Sequence, residues 1–272
     1  MHVLLSKKKK GAWQRFYRSP LFDIGQFLLL IVLIVWFFNR SVEELGYHWQ
    51  WYQVPRYLYV WDESGFRAGP LLHGLGVTLK ISAISLFLAF TIGMVTALLR
   101  LSNSMPGRVL ARVYLEVSRN TPLLIQLFFI YFVMGPIFNL DRFWAAVLSL
   151  SLFEGAYASE IFRSGIVSVE KGQWEASHSL GLSFRHAYRF VVLPQAVRRI
   201  LPPLASQAIS LIKDSALVST IAVYDLTMEA QALISETFLT FELWFTVAFM
   251  YLLITVSLSF LVSYLEKRTA VV

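Results

Sequence analysis

QWEASHSLGLSFRHAYRFVVLP, residues 173–194, is a polar stretch set between two long apolar runs in an otherwise hydrophobic chain. It carries Glu175, Arg185, His186 and Arg189, and its helical pattern breaks at Gly181. Such a segment cannot rest in hydrocarbon, where its polar groups and helix break would go unsatisfied. It is therefore expected to project from a bilayer as an ordered knob. Gln173 to Leu180 reads as a short helix whose Ala176 and Ser177 are small enough for another surface to approach closely. Gly181 can take the left-handed conformation that ends such a helix. Ser183 is placed to cap a second helix, Phe184 to Val192, and Pro194 to stop it. Two helices held at an angle make a rigid lever, a place where force arrives from another molecule.

The flanking sequence supplies the membrane. The chain of 272 residues is 57% hydrophobic, 15% aromatic and 15% charged, which indicates a polytopic membrane protein with short loops. The apolar runs give six spans: Leu21–Phe38, Leu71–Leu99, Thr121–Leu140, Phe143–Phe162, Ile200–Val223 and Leu243–Leu265, the last without any charge. Met1–Arg18 is basic and reads as a helix on a cytoplasmic leaflet, followed by a retained first span. Arg108–Arg119 sets Arg108, Arg112, Glu116 and Arg119 against Val109, Val113 and Val117, the pattern of an interfacial helix. Arg40–Pro70 is rich in Tyr and Trp, which suits an interfacial aromatic belt or a docking surface for an external partner. Lys and Arg concentrate in alternate connections, so six spans with both termini cytoplasmic fit every loop. That distribution explains the net charge of +7 without nucleic acid. It also puts the knob in the cytoplasm. With no cysteine, thiolate metal sites and thiol chemistry are excluded. No His cluster or nucleophile–base pairing points to an enzyme.

From Glu175 the spacing is Glu-Ala-Ser, three residues, Gly181, nine residues, Val191, one residue, Leu193-Pro194. This resembles the EAA loop of ABC importer permeases, with Ser177 and Val191 in place of Ala and Ile. The resemblance extends to the branch that takes up polar amino acids (histidine, glutamine, arginine, glutamate and opines). It is carried by Gly76-Val77-Thr78-Leu79, by Arg119-Asn120-Thr121-Pro122-Leu123-Leu124-Ile125-Gln126, by Gly155–Arg163 and by Leu211–Val218. Asn120 and Glu154 depart from the family's usual Gly and small neutral residue. The resemblance implies an all-α integral membrane fold, the type I ABC importer transmembrane domain. Residues 71–268 would form its core, with the coupling loop at 173–194, and residues 1–70 a variable extension. It also implies the partners: ATPase subunits docking on the loop, a second permease subunit (a copy or a relative), and an extracytoplasmic amino acid-binding protein. No Gly-x-x-x-x-Gly-Lys-Ser/Thr phosphate loop occurs, so ATP and magnesium are expected on separate ATPase chains and no cofactor on this one. The location implied is the inner membrane of a prokaryote.

Ionisable groups at membrane depth cost at least ~2.5 kcal/mol each, so each needs a partner or a watery path. Glu154, Glu160, Lys213 and Asp214 qualify, and Lys213 with Glu160 is a plausible interhelical pair. Either such charges fix helix packing, or Glu154, Glu160 or Asp214 lines the path and meets a substrate ammonium, with Gln126 and Thr78 as polar neighbours. Lys80 and Arg163 lie nearer the span ends and are expected to snorkel. Three acids against one Lys favour a cationic or zwitterionic substrate over an anion. The alternatives are an ABC permease for another small solute and an ion-coupled carrier using the acids as proton sites.

Overall fold

The computed structural model describes residues 20–44, 46–62 and 65–269. The basic segment Met1–Arg18 lies outside these, as do the side chains of Lys267 and Arg268. Two compact units follow from the backbone contacts, Met1–Trp49 and Gln50–Val272. The first holds helix α1, Pro20–Glu44, whose apolar side chains are exposed and whose Arg40 sits over the Trp36 ring one turn back at 5.7 Å.

The second unit opens with a 3-10 turn, Trp51–Gln53, and one helical turn, α2, Pro55–Leu58. Strands β1 (Tyr59–Asp62) and β2 (Gly65–Ala68) then form an antiparallel hairpin within what the sequence presents as a plain connection. Helix α3 spans Pro70–Leu101. Ser104 caps α4, Met105–Asn120, by accepting from Gly107 N at 3.3 Å. Then come α5, Leu123–Phe138, with a π-helical insert at Phe129–Met134; α6, Arg142–Val167; and α7, Lys171–Ser179. Helices α8, Phe184–Ile221, α9, Leu226–Thr237, and α10, Thr240–Thr269, complete the chain.

Among the described residues four helices are individually long and apolar enough to cross a membrane: α1, α3, α6 and α10. Two bent pairs, α4 with α5 at 110° and α8 with α9 at 48°, raise the number to as many as six when each pair is counted as one span. The apolar face of α4, with Val109, Val113 and Val117 exposed, turns outward while Ala111, Leu115 and Ser118 pack inward.

Helices α3 and α6 run parallel and make the most extensive contact in the molecule. Small residues permit it. A Cβ on Gly93 would sit 2.8 Å from Ala158 Cβ and 2.9 Å from the Gly155 carbonyl oxygen. Ser85 Oγ donates to the Val147 carbonyl at 3.3 Å, crossing the same seam. Three apolar clusters then divide the unit by level. Tyr57, Leu71, Leu226, Leu239 and Leu243 close the hairpin end. Ile81, Leu127, Leu150, Val218 and Ile221 fill the middle. Ala97, Ala158, Phe162, Val192, Ala196 and Ile200 join the opposite end, where α7 and α8 meet.

The prolines depart most from the sequence expectation. Pro194 does not stop a helix: α8 runs on through it, and through Pro202 and Pro203, as far as Ile221. The turn before Pro194, Tyr188–Val192, is π-helical. Its wider ring accommodates a residue that has no N–H to give and whose own ring would press on the carbonyl four residues back. The last span also begins earlier than its apolar run, at Thr240, and so includes the fully buried Glu242.

Candidate functional site: the elbow and the buried acids

Helix α7 ends by a defined mechanism. Leu182 N donates to Ser177 O at 3.1 Å and Gly181 N to His178 O at 2.9 Å, while Gly181 takes φ +76°. This is the paired C-terminal closure that needs a left-handed residue, and nothing lies within 4 Å of a Cβ there, so the need is conformational rather than steric. Ser183 stands at the start of α8, but its hydroxyl bonds His186 Nδ1 at 2.7 Å instead of capping the backbone. The elbow is locked from within. Trp174 of α7 stacks on Phe184 at 5.3 Å and packs against Tyr188 at 6.3 Å, both of α8. Gln195 Nε2 donates across the angle to Gln173 Oε1 at 3.1 Å, and Arg199 donates to the Ser168 carbonyl.

On this frame Glu175, Ala176, Gly181, Leu193 and Pro194 are exposed, Val191 is half-buried, and Ser177 is 2% exposed. Ser177 therefore belongs to the inner face of α7, where its Oγ donates to Gln173 O at 2.6 Å. Leu180, Phe184 and Phe190 are exposed by 80, 67 and 62% beside the exposed set. The elbow is thus a rigid convex edge with one carboxylate, two small or flexible positions, and apolar side chains turned outward. Because α8 is continuous from Phe184, the second arm of the elbow is the foot of a span.

The structure separates the polar residues that the sequence suggests for a path. Glu154, on α6, is 1% exposed and accepts from Gln207 Nε2 of α8. Asp214, half-buried, acts on it electrostatically from the far end of the helical part of α8. Glu154 Oε1 has no hydrogen-bond donor among the described residues. Gln207 is the member of this group that sequence reading missed. It sits seven residues from Asp214, two turns along the same face.

Glu160 is engaged elsewhere. It pairs with Arg100 at 2.5 Å and Arg163 at 2.6 Å, near the elbow end. The pairing of Lys213 with Glu160 is therefore wrong, and Arg163 pairs where snorkelling was expected. The reason is direction: α8 runs antiparallel to α6, so the residues after Gln207 rise away from Glu160. Six residues already separate Glu160 from Glu154, about 9 Å. Lys213 is exposed, two residues before the helix tightens into its 3-10 end, Ser215–Ile221. Lys80 lies 5.3 Å from the centre of the Phe143 ring.

Thr78 and Gln126 hold corners. Thr78 Oγ1 accepts from Leu226 N at 3.1 Å, at the start of α9, and donates to Gly74 O at 3.1 Å. Gln126 Nε2 donates to Ser118 O at 2.8 Å and Thr121 O at 2.9 Å, pinning the bend between α4 and α5. Its side chain also borders an apolar groove of about 840 Å³ formed with Val117, Ile125, Phe129 and Leu148. Two buried acids escaped the sequence reading because they flank the apolar runs. Asp225 caps α9 through Met228 N at 2.9 Å, and Glu242 accepts from Gln50 N at 2.6 Å. Among the described residues no group of three or more His, Cys, Asp or Glu is arranged to hold a metal ion.

Residues 89–271 match the family model described as the binding-protein-dependent transport system inner membrane component. The glutamine transport system permease protein GlnP of Escherichia coli (strain K12) is 41% identical over 201 residues, 73% of this chain and 92% of that one. The L-cystine transport system permease protein TcyB of Bacillus subtilis (strain 168) is 39% identical over 212 residues, 76% and 90% of the two chains. A crystal structure of an amino acid ABC transporter with histidines superposes with a TM-score of 0.69 at 38% identity. It covers 73% of this chain and 94% of its own.

Proposed function

The chain belongs to the family of inner membrane components of binding-protein-dependent transport systems. From that premise we propose that it is the permease subunit of an ATP-driven importer carrying a polar amino acid, driven through the elbow at Glu175–Pro194. The single observation that carries this reading is the continuity of the elbow with α8. An exposed edge held by a left-handed glycine and a Trp174–Phe184 stack leads without a break into a span. Two such subunits, identical or related, stand above two ATPase subunits that hold ATP and magnesium, and an external binding protein delivers the solute. The elbow end is cytoplasmic, and both termini lie on that side. Residues 71–268 form the transport core, and residues 1–70 are an extension of it. Closure of the ATPase pair draws the elbows together and rocks the spans. The work enters as differential affinity of the elbow for two ATPase states.

The substrate class is supported by the names of the relatives, which carry glutamine and L-cystine, and by the acids at depth. Glu154, with Gln207 and Asp214 beside it, offers a lone oxygen to an ammonium group. Glu160, Thr78 and Gln126 are engaged in contacts of their own.

Two variants test the coupling. Glu175→Lys reverses the charge of the edge, and Gly181→Pro removes the left-handed closure. Each leaves the chain in the membrane and lowers ATPase association, and with it uptake, by tenfold or more, about 1.4 kcal/mol. Co-purification with the ATPase subunits and uptake in proteoliposomes are the measurements. Wild-type uptake from Glu175→Lys would sink the reading. Competition by Arg, His, Gln and Glu reads the substrate class, and preferential uptake of Glu or Asp would overturn the preference for a cation or zwitterion.

A further inference from the structure

Residues 50–69 precede the stretch matched by the family model, and the import cycle above makes no use of them. We propose that this segment is an aromatic cuff lying in the headgroup layer of the bilayer at the hairpin end, a lateral anchor for the ends of three helices.

The strand register fixes the first part of the argument. Trp61 stands opposite Phe66 and Tyr59 opposite Ala68, so Tyr59, Trp61 and Phe66 share one face of the hairpin. Their rings lie 6.5 Å apart in the pairs Trp61–Phe66 and Tyr59–Phe66, and they are 48, 75 and 59% exposed. A lone two-stranded hairpin is marginal in water, and one showing three aromatic rings to water is a poor element unless something covers it.

Depth identifies the cover as lipid. Gly69 N donates to Leu58 O at 2.7 Å, directly before α3 enters at Pro70. Trp51 stands 6.3 Å from Phe245, near the start of α10. From there the exposed Phe249, Leu252 and Leu253 continue the same apolar surface along the span. The cuff therefore begins level with the first turns of two membrane-crossing helices. That is the level where Trp and Tyr collect, their rings among the upper chains and their N–H and O–H groups among the headgroups. Its inner side is fastened by Tyr57, packed with Leu71, Leu226 and Leu239. Through them the ends of α3, α9 and α10 are held at one depth while the elbow end is free to move.

The test uses the full chain in vesicles of phosphatidylethanolamine and phosphatidylglycerol. Subtracting the emission of Trp61→Phe from that of the unaltered chain isolates Trp61. With phospholipid brominated beside the carbonyls, Trp61 is expected to lose about half its emission, more than with bromine at the chain ends or with aqueous iodide. A second reporter, Phe66→Trp in the Trp61→Phe chain, should rank the three quenchers the same way. Strong quenching by iodide with none by bromolipid overturns the proposal and makes a water-soluble partner the occupant. Strongest quenching at the chain ends also overturns it, because the hairpin would then lie too deep for the headgroup layer.

Discussion

Glu154 and Glu160 sit on one helix, six residues apart, and the regions around them differ in kind. Around Glu160 two guanidinium groups converge from α3 and from its own helix at 2.5 and 2.6 Å, and about a third of its side chain remains exposed. Around Glu154 burial is nearly complete, a neutral amide is the one hydrogen-bond donor among the described residues, and the neighbouring carboxyl, Asp214, has the same sign. The first arrangement is a finished structural contact. The second leaves an expensive group under-satisfied at depth, which a fold tolerates when the group serves something else. What the pair teaches is that an acid inside a span is not informative by type or by position along the helix. Its partners decide its meaning.

Three substitutions press on that contrast, from the largest expected effect to the smallest. Glu154→Gln keeps the shape and a hydrogen-bonding group and removes the charge. Uptake of a cationic amino acid should fall about tenfold or more, and of a neutral one less, with the midpoint of thermal unfolding unchanged or raised. Equal uptake of both with only a stability change would make Glu154 a packing residue like its neighbour. Glu160→Gln should do the reverse, lowering stability by about 1–2 kcal/mol while leaving substrate preference alone. A double-mutant cycle with Arg100→Gln should return part of that loss. If Glu160→Gln shifts preference instead, the line drawn between the two acids fails. Arg163→Gln tests the weaker arm of the triad, a pair three residues apart on one helix, and is expected to cost only about 0.3–0.5 kcal/mol.

Much of this was legible in the residues. The knob at 173–194, its break at Gly181 and the number of apolar runs were read from local signals, since a helix end needing φ > 0 and a polar stretch among apolar ones are properties of a few neighbouring residues. The failures share a cause. Pro194 was read as a stop because the rule for proline is local, whereas a π-helical turn three-dimensionally placed before it lets the helix continue. Glu160 was given to Lys213 because both were charged and deep, and spacing along the chain does not reveal that α8 climbs away from Glu160. Gln207 was overlooked because a single amide on a helix carries no pattern.

The sequence by itself determined the solvent of each segment: which runs enter hydrocarbon, which stretch must leave it, and where a turn requires glycine. Those are one-dimensional consequences of transfer free energy and backbone sterics. Tertiary structure alone decided which charge meets which, that α3 and α6 lie close enough to exclude a Cβ at Gly93, and that the elbow and a span form one continuous lever. Such choices depend on the relative direction and level of helices far apart in the chain. The energy that sets them resides in contacts between segments, which no single segment contains.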